Sequence, residues 1–473
     1  MKKIVITIAF VLAFLIPFGM VAATVFLLPD AYFNAFTGVL DEKTARLDST
    51  DGPKIVFIGG SAAAFGVISP LVEEHLGMPA INYGLYADIG IKAMLDLSLD
   101  GIGEGDIVVI LPETDPQAYS LYFGAYSFLC AADGDSRLIF RASSGDYAEL
   151  FGASWRFAAQ KLKYTLSGEY PDPSGIYNAA SFDEYGDIVY ERPGNVMPAG
   201  YLSNPVVYSE SIVGLDFIDY VNAYTAACEK RGARVFFSFA PSDGLAVESN
   251  DGDILAFYSY LSEKLDCEII SYPSDYIYDY RYFYDTNFHV NDAGAILNTV
   301  NLIKDIKRAV GITTPTRIEI PDPPDPVVSD SGHEKIETTD PALFLYEDRG
   351  DYLILTGLTD RAKALSEIIV PEEYEGKPVR IIASHAFEGA KASSLTVTKA
   401  IGEIVNGAFY GCSDLRRIII LDESPDDVNV SDGLLSGVPE DCVIVLANAS
   451  IFDFVNHYFW QAYADRMTEQ KKN

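Results

Sequence analysis

The chain has 473 residues, 49% of them hydrophobic, and a formal net charge of -34 at pH 7. This acidic balance argues against a nucleic-acid partner, because phosphate binding requires cationic patches. The length is sufficient to bury two or more cores. No metal or organic cofactor is expected. Neither a disulfide framework nor a metal site is indicated by the five scattered cysteines, Cys130, Cys228, Cys267, Cys412 and Cys442.

The N-terminal segment is apolar. The chain begins Met-Lys-Lys, and no charged residue then occurs from Ile4 to Leu28. About 20 apolar residues span a bilayer, whereas a cleavable signal needs an apolar core of roughly 7–15. We therefore expect residues 1–28 to be a transmembrane anchor, with a signal cleaved near Ala22-Ala23 as the alternative. The two lysines would place the rest of the chain outside the cytoplasm, either as a single-pass membrane protein or, alternatively, as a secreted one. Residues 29–50 would then form a juxtamembrane linker.

Residues 51–312 alternate short apolar runs with helical stretches, which predicts a mostly parallel sheet covered by helices. The predicted strands are Ile55–Ile58, Ala80–Tyr83, Ile107–Leu111, Val235–Phe239 and Glu268–Ser271. The predicted helices are Ser69–Leu76, Gly90–Leu99, Asp216–Arg231 and Ile254–Leu265. From Tyr119 to Asn204 the periodicity is weaker, and we interpret this stretch as an insertion with small helices of its own. Ligands of such sheets bind at the carboxyl ends of the strands.

Two short segments of this region carry candidate chemistry. The first is a buried strand followed by a Gly-Gly turn that presents Ser61, and the second supplies Asp285 and His289 ahead of a helix. Together they predict a nucleophile system in which Ser61 attacks, His289 moves the proton and Asp285 orients the imidazole. Taken alone, Ser61 is explained equally well as a helix N-cap, and His289 is better explained as an ordinary, partly buried histidine than as a base.

These segments resemble motifs of the SGNH/GDSL hydrolase superfamily. Gly59-Gly60-Ser61 is similar to its nucleophile block, Asn82-Tyr-Gly84 to its glycine block, and Asp285 to His289 to its Asp/His block. Within the superfamily, the chain looks most like the envelope acyl-modifying branch, such as the D-alanine transfer and alginate acetylation proteins. The resemblance implies a flavodoxin-like, three-layer α/β hydrolase domain over residues 51–312, with a parallel sheet.

The resemblance also implies an oxyanion hole formed by the N–H groups of Ser61 and Gly84, with Asn82 and Glu113 as pocket residues. At the position of Glu113 the superfamily has an asparagine that donates to the oxyanion. An ionised glutamate would repel the oxyanion, and it could donate a hydrogen bond only if burial raised its pKa.

A proline-rich and acidic linker over residues 313–342 separates this region from a C-terminal one, residues 343–473. There an Ala-Phe pair recurs after 22 residues, from Phe387 to Phe409, within Ile-rich surroundings. A repeat of this length with one strand each predicts a solenoid, and Phe452–Met467 would cap its C-terminal end. The segment resembles a short leucine-rich repeat domain of the surface-protein type.

These patterns predict a membrane-anchored, extracytoplasmic serine esterase or acyltransferase that acts on acyl esters of cell-envelope glycans or polymers. The repeats would bind an envelope polysaccharide or a surface or membrane protein partner. The alternative is a non-catalytic surface or adhesion protein in which the hydrolase fold is only a scaffold. The aromatic stretch from Tyr272 to Phe288 is interpreted as packing rather than as a carbohydrate-binding wall.

Overall fold

The computed structural model describes residues 2–197, 205–325, 338–422, 425, 428–430, 433–447, 449, 451, 454 and 460–469. The chain divides into two compact units. The N-terminal unit comprises Met1–Gly194 and Val206–Asp325, and the C-terminal unit comprises Asn195–Pro205 and Pro326–Asn473. The boundary after Asp325 falls inside the stretch expected to be a linker.

The N-terminal unit is built around a five-stranded parallel sheet. Its strands are β1 (Ile55–Ile58), β2 (Ala80–Asn82), β3 (Ile107–Ile110), β4 (Arg234–Phe237) and β6 (Glu268–Ile269), and β5 (Ser242–Asp243) pairs with β7 (Ile277–Tyr278) in a separate small sheet. The spatial order β2-β1-β3-β4-β6 is the flavodoxin-like order of doubly wound sheets. Strands β1, β2 and β3 are fully buried, as apolar runs in a parallel sheet should be.

Ten helices belong to the described part of this unit. They are α1 (Lys2–Leu27), α2 (Leu40–Ser49), α3 (Ser61–Gly66), α4 (Ser69–Leu76), α5 (Ile91–Ser98), α6 (Ala125–Ala131), α7 (Tyr147–Ser167), α8 (Leu215–Lys230), α9 (Asp251–Lys264) and α10 (Asp292–Val310). The insertion was expected to hold only small helices, yet α7 has 21 residues. Apolar side chains occupy two faces of α7, which blurs the single-face period that sequence analysis detects.

Residues 29–50 also differ from expectation. Instead of forming a juxtamembrane linker, they contain α2, whose side chains Leu40 and Leu47 are completely buried. The Lys43 ammonium group donates one hydrogen bond to the Asn82 carbonyl oxygen, and the Thr44 hydroxyl lies 2.8 Å from the Tyr83 hydroxyl. This segment is therefore part of the folded unit and supports the end of β2.

The expected transmembrane anchor, residues 1–28, has described side chains only from Leu15 onward. Across the part of the chain that the structure describes, no helix combines the length and the apolarity needed to cross a membrane.

The C-terminal unit is a solenoid of stacked parallel strands that follow an antiparallel hairpin, β8 (Phe344–Asp348) and β9 (Leu353–Leu358). Its other elements are α11 (Asp360–Lys363), β10 (Glu367–Ile369), β11 (Glu373–Tyr374), β12 (Lys377–Ile382), β13 (Ser394–Val397), β14 (Glu403–Ile404), β15 (Arg417–Ile420), β16 (Asn429–Val430), β17 (Val443–Leu446) and β18 (Met467–Glu469).

Within the described residues, three turns of the solenoid contribute two strands each (β10 with β12, β13 with β14, and β15 with β16), not the single strand that the repeat predicted. One sheet has the order β10-β13-β15-β17-β18, and the other has the order β16-β14-β12-β9-β8. Parallel pairing brings Ile382 beside Ile404 in one sheet and Leu395 beside Ile418 in the other. The additional strands β14 and β16 have only two residues each, too few to give a periodic signal in the sequence.

The solenoid core is formed by the repeated aromatic and aliphatic side chains. The rings of Phe387 and Phe409 lie 5.6 Å apart, and both side chains are completely buried. Trp460 is also buried and donates a hydrogen bond from Nε1 to the Val428 carbonyl oxygen at 3.1 Å. Of the predicted cap, residues 452, 453 and 455–459 lie outside the described residues.

Candidate active site

Ser61 lies at the point where β1 turns into α3. Helix α3 begins at Ser61, and Gly60 is its N-cap. A Cβ atom on Gly60 would lie 2.5 Å from Glu113 Oε1, and one on Gly59 would lie 2.6 Å from the Leu111 carbonyl oxygen. Gly59 has no room for a side chain because it meets backbone, whereas a side chain at Gly60 would have to displace the buried Glu113 carboxyl group. The turn places Ser61, which is only 4% exposed, at the carboxyl end of the central strands.

The histidine and the aspartate form a buried pair in the loop before α10. His289 Nδ1 lies 2.8 Å from Asp285 Oδ1, and the second carboxylate oxygen of Asp285 accepts a hydrogen bond from the Tyr177 hydroxyl at 2.6 Å. The backbone N–H of His289 donates to Thr286 Oγ1 at 3.0 Å, which fixes the loop. With Nδ1 facing the carboxylate, the Nδ1–H tautomer is favoured and Nε2 is the nitrogen left for proton transfer.

A single aromatic side chain connects this pair to the serine helix. The Phe65 ring stacks on the His289 imidazole with a centroid distance of 3.9 Å and an interplanar angle of 11°. Phe65 follows Ser61 by four residues in α3, so the two side chains lie on the same helix face. No hydrogen bond joins Ser61 to His289 among the described residues. The structure thus brings the three predicted residues to one region, with the Asp–His contact formed and the Ser–His contact open.

Polar contacts hold α3 against α10 and its preceding loop. Arg192 Nη1 donates to the carbonyl oxygens of Phe65 at 3.0 Å and Val290 at 3.3 Å. The Asn298 amide donates to the Gly66 carbonyl oxygen at 2.7 Å. These bonds satisfy the last carbonyl groups of α3 and fix its position relative to the histidine loop.

Asn82 and Gly84 serve the packing of this region. The Asn82 amide nitrogen donates to the Ala63 carbonyl oxygen at 3.2 Å and to Asp187 Oδ1 at 3.0 Å. Its Oδ1 accepts the Gly84 N–H at 3.1 Å, so the N–H expected to face an oxyanion is already engaged. A Cβ atom on Gly84 would lie 2.5 Å from Ala63 Cβ, and glycine is required there for the close approach of α3. Of the two N–H groups expected to form the oxyanion hole, the Ser61 N–H therefore remains the candidate donor.

Glu113 lies directly against the start of α3. Its side chain is buried, and Oε1 accepts a hydrogen bond from the Ala62 N–H at 2.9 Å. Burial raises the pKa of this carboxyl group above its ordinary value, although the Ala62 hydrogen bond and the nearby His289 act in the opposite direction. The carboxyl group therefore caps the helix that begins with Ser61, and burial shifts its pKa upward.

Sequence analysis did not identify Tyr177, Arg192 or Asn298. Tyr177 is separated from Asp285 by 108 residues, and Arg192 from Phe65 by 127. Both lie in the insertion, where the periodicity is weak and no motif marks them. Asn298 lies in the interior of α10. The amide of an asparagine competes with helix hydrogen bonds, so its presence inside a predicted helix is the only signal that the sequence offers for this residue.

The sequence matches no protein-family model and no curated protein. Solved structures that resemble the chain are leucine-rich repeat proteins. One is a leucine-rich repeat protein of T. pallidum, with 22% identity, a TM-score of 0.19 and a match that covers 23% of this chain and 61% of that chain. Another is a leucine-rich cell surface protein from Faecalibacterium prausnitzii, with 19% identity, a TM-score of 0.19 and coverage of 24% and 32%. A third is a leucine-rich repeat protein from Bacteroides ovatus, with 20% identity, a TM-score of 0.17 and coverage of 25% and 32%.

Proposed function

We propose that the N-terminal unit is an extracytoplasmic serine esterase or acyltransferase that acts on acyl esters of cell-envelope polymers. The observation that carries the proposal is the buried Asp285–His289 pair, whose imidazole is stacked on Phe65 one helical turn from Ser61. A histidine held in one tautomer by a carboxylate, close to a serine at a strand-to-helix turn, is the arrangement that nucleophilic acyl transfer requires.

In this mechanism Ser61 Oγ attacks the acyl carbon while its proton passes to His289 Nε2. Asp285 stabilises the resulting imidazolium, and Tyr177 holds the second oxygen of that carboxylate. Collapse of the tetrahedral intermediate breaks the ester bond, and His289 returns the proton to the leaving alcohol. Water or a sugar hydroxyl then attacks the acyl-serine by the same steps, which gives hydrolysis or transfer.

The oxyanion would be stabilised by the Ser61 N–H and by Glu113 in its neutral form. The N–H groups of the first turn of a helix have no partner within the helix, and they point toward negative charge. Because Oε1 of Glu113 accepts from Ala62, a proton on the carboxyl group would lie on Oε2 and be free to donate. A buried carboxylic acid that donates to an oxyanion has the electrostatic role usually filled by an amide.

The acidic composition supports a neutral or cationic substrate, such as an acylated glycan or an aminoacylated polymer, over a polyanion. The solenoid would bind a wall polymer or a surface or membrane protein and so raise the concentration of the enzyme near its substrate.

The test is labelling of the full chain with a fluorophosphonate, read by intact mass. We expect one adduct, which is lost in Ser61→Ala and retained in Ser69→Ala. Ser69 is a matched control, because it too is buried and begins a helix. A folded protein that forms no adduct would overturn the proposal.

A second candidate function is supported by Glu113 and Gly84. The Gly84 N–H is engaged by Asn82, and Glu113 stands where an amide donor would be needed. A non-catalytic surface-binding protein, in which this unit is a scaffold, would have these features. Glu113→Asn separates the two functions. Increased fluorophosphonate labelling would indicate an oxyanion hole that Glu113 impairs, whereas protein that remains unlabelled would support the scaffold function.

A further inference from the structure

Helix α7 has an exposed apolar stripe that the proposed activity does not use. Phe151, Trp155, Leu162 and Leu166 are 55%, 38%, 38% and 78% exposed. Their spacing of four, seven and four residues places them on one side of the helix. Single exposed apolar side chains are ordinary on a protein surface, but a continuous stripe of large ones marks a binding surface.

The stripe is distinct from the buried face of α7. That buried face carries Leu150, Phe157 and Tyr164, and the charged Lys161 pairs there with Asp133. The exposed charged residues of α7 lie on a third side, in the order Glu149, Arg156, Lys163. The helix therefore presents an outward apolar side bordered by charge, which is the pattern of a helix that lies at a membrane surface.

The stripe continues onto α1. The Phe18 ring lies 5.8 Å from the Phe151 ring and 5.2 Å from the Trp155 ring, so the two helices run side by side. Beyond this contact α1 exposes further large apolar side chains, namely Leu15, Ile16, Met20 and Leu27, each more than half exposed. Phe26 extends the surface to Phe140, whose ring is stacked on it at 5.8 Å.

We propose that the exposed sides of α1 and α7 form one membrane-docking platform, and that its occupant is the interfacial region of a lipid bilayer. The exposed side of α7 is continuous with α1, a helix whose sequence has no charged residue from Ile4 to Leu28. A protein partner would be expected to add polar recognition groups, whereas the large exposed side chains described on the platform are aliphatic, aromatic or, at Met20, a thioether. Amphipathic helices of this kind insert about 5–10 Å into the headgroup and acyl boundary.

The platform would hold the N-terminal unit flat against the membrane. This inference is independent of the proposed esterase activity, because it uses no residue of the candidate active site.

Trp155 makes the platform directly measurable. The protein has two tryptophans, and Trp460 is completely buried in the C-terminal unit. The full chain would be reconstituted into phosphatidylcholine vesicles whose acyl chains carry bromine, which quenches nearby indoles. We expect Trp155 emission to shift to shorter wavelength and to be quenched, and Trp155→Phe to abolish the quenching while Trp460 emission remains.

Matched variants test the stripe itself. Phe151→Ser with Leu166→Ser should weaken the quenching of Trp155, whereas Glu149→Gln with Lys163→Gln on the charged side should leave it unchanged. Trp155 that stays unquenched in protein that co-floats with the vesicles would overturn the proposal. So would stripe variants that dissociate a dimer in detergent, because the occupant would then be a second copy of the chain.

Discussion

The two units of the molecule differ in how many charged side chains they bury: the N-terminal unit buries many, and the described part of the C-terminal unit buries only Glu403 and Asp422. The N-terminal unit encloses charged groups such as Lys43, Glu113 and Arg192, each held by hydrogen bonds to backbone carbonyl or N–H groups. The core of the C-terminal unit consists of repeated aliphatic and aromatic residues stacked along two parallel sheets. Burying a charged group costs free energy unless the group is paired, so the buried charges of the first unit fix its geometry at a cost in stability. The second unit gains stability because each repeat buries its apolar face against the next.

The largest effect should come from replacing one histidine in each unit with alanine. His289→Ala removes the proposed base, and we expect fluorophosphonate labelling of Ser61 to slow by about a hundredfold to ten-thousandfold. His385 in the solenoid is the matched control. Its ring is half exposed and lies 4.9 Å from the Tyr410 ring, and its Nδ1 lies 3.2 Å from Glu388 Oε2. His385→Ala should leave the labelling rate unchanged, and equal losses in both variants would contradict an active site in the first unit.

The second prediction concerns a large side chain in the core of the solenoid. Phe409→Ala removes a completely buried ring that packs on Phe387, and we expect the free energy of unfolding of the C-terminal unit to fall by about 3–5 kcal/mol. Fluorescence of Trp460, followed in a Trp155→Phe background, reports unfolding of this unit alone.

The neighbouring Tyr410→Ala is the control, because Tyr410 is 45% exposed and should cost far less. The rate of Ser61 labelling should be the same in both variants. Slower labelling in Phe409→Ala would mean that the two units are not energetically independent.

The sequence predicted those features that are local. Strand β1 matches its predicted bounds, as does α4, because an unbroken apolar run and a proline-started helix are visible within a few residues. The Asp285–His289 contact likewise joins residues that are only four positions apart in the sequence. Features that depend on distant contacts were not predictable: the Tyr177 hydrogen bond, the burial of α2, and the two-residue strands of the solenoid. The membrane anchor, the enzymatic activity and the repeat ligand remain predictions.

The third comparison concerns Tyr177, which acts on the candidate site through Asp285. Tyr177→Phe removes one hydrogen bond to a carboxylate, and we expect labelling of Ser61 to slow by about tenfold. The physical reason is that the Tyr177 hydroxyl holds the carboxylate that orients His289. A role in stability alone would not slow the labelling of protein that remains folded. The exposed Tyr190→Phe is the control, and a labelling rate that matches it would remove Tyr177 from the site.

The smallest effect, and the one that separates enzyme from scaffold, concerns Glu113. Burial raises the pKa of its carboxyl group, so the neutral form is favoured to higher pH than in an ordinary glutamate. The associated stability is fully present below the ordinary carboxyl pKa and is lost as pH rises through the raised value. If neutral Glu113 donates to the oxyanion, labelling of the wild-type protein should decline over the same rise in pH.

Glu113→Gln keeps a neutral donor of the same shape at every pH. Its Oε1 can still accept from Ala62, and its amide nitrogen replaces the protonated oxygen. We expect the alkaline decline in labelling to disappear, with a change of only a few-fold near pH 6, and the variant to be more stable than wild type at neutral pH. Glu184→Gln, at an exposed position, should reproduce the wild-type profile. Labelling that falls equally at all pH values in Glu113→Gln would show that the ionised carboxylate is needed, and the oxyanion would then be bound by the α3 N–H groups without it.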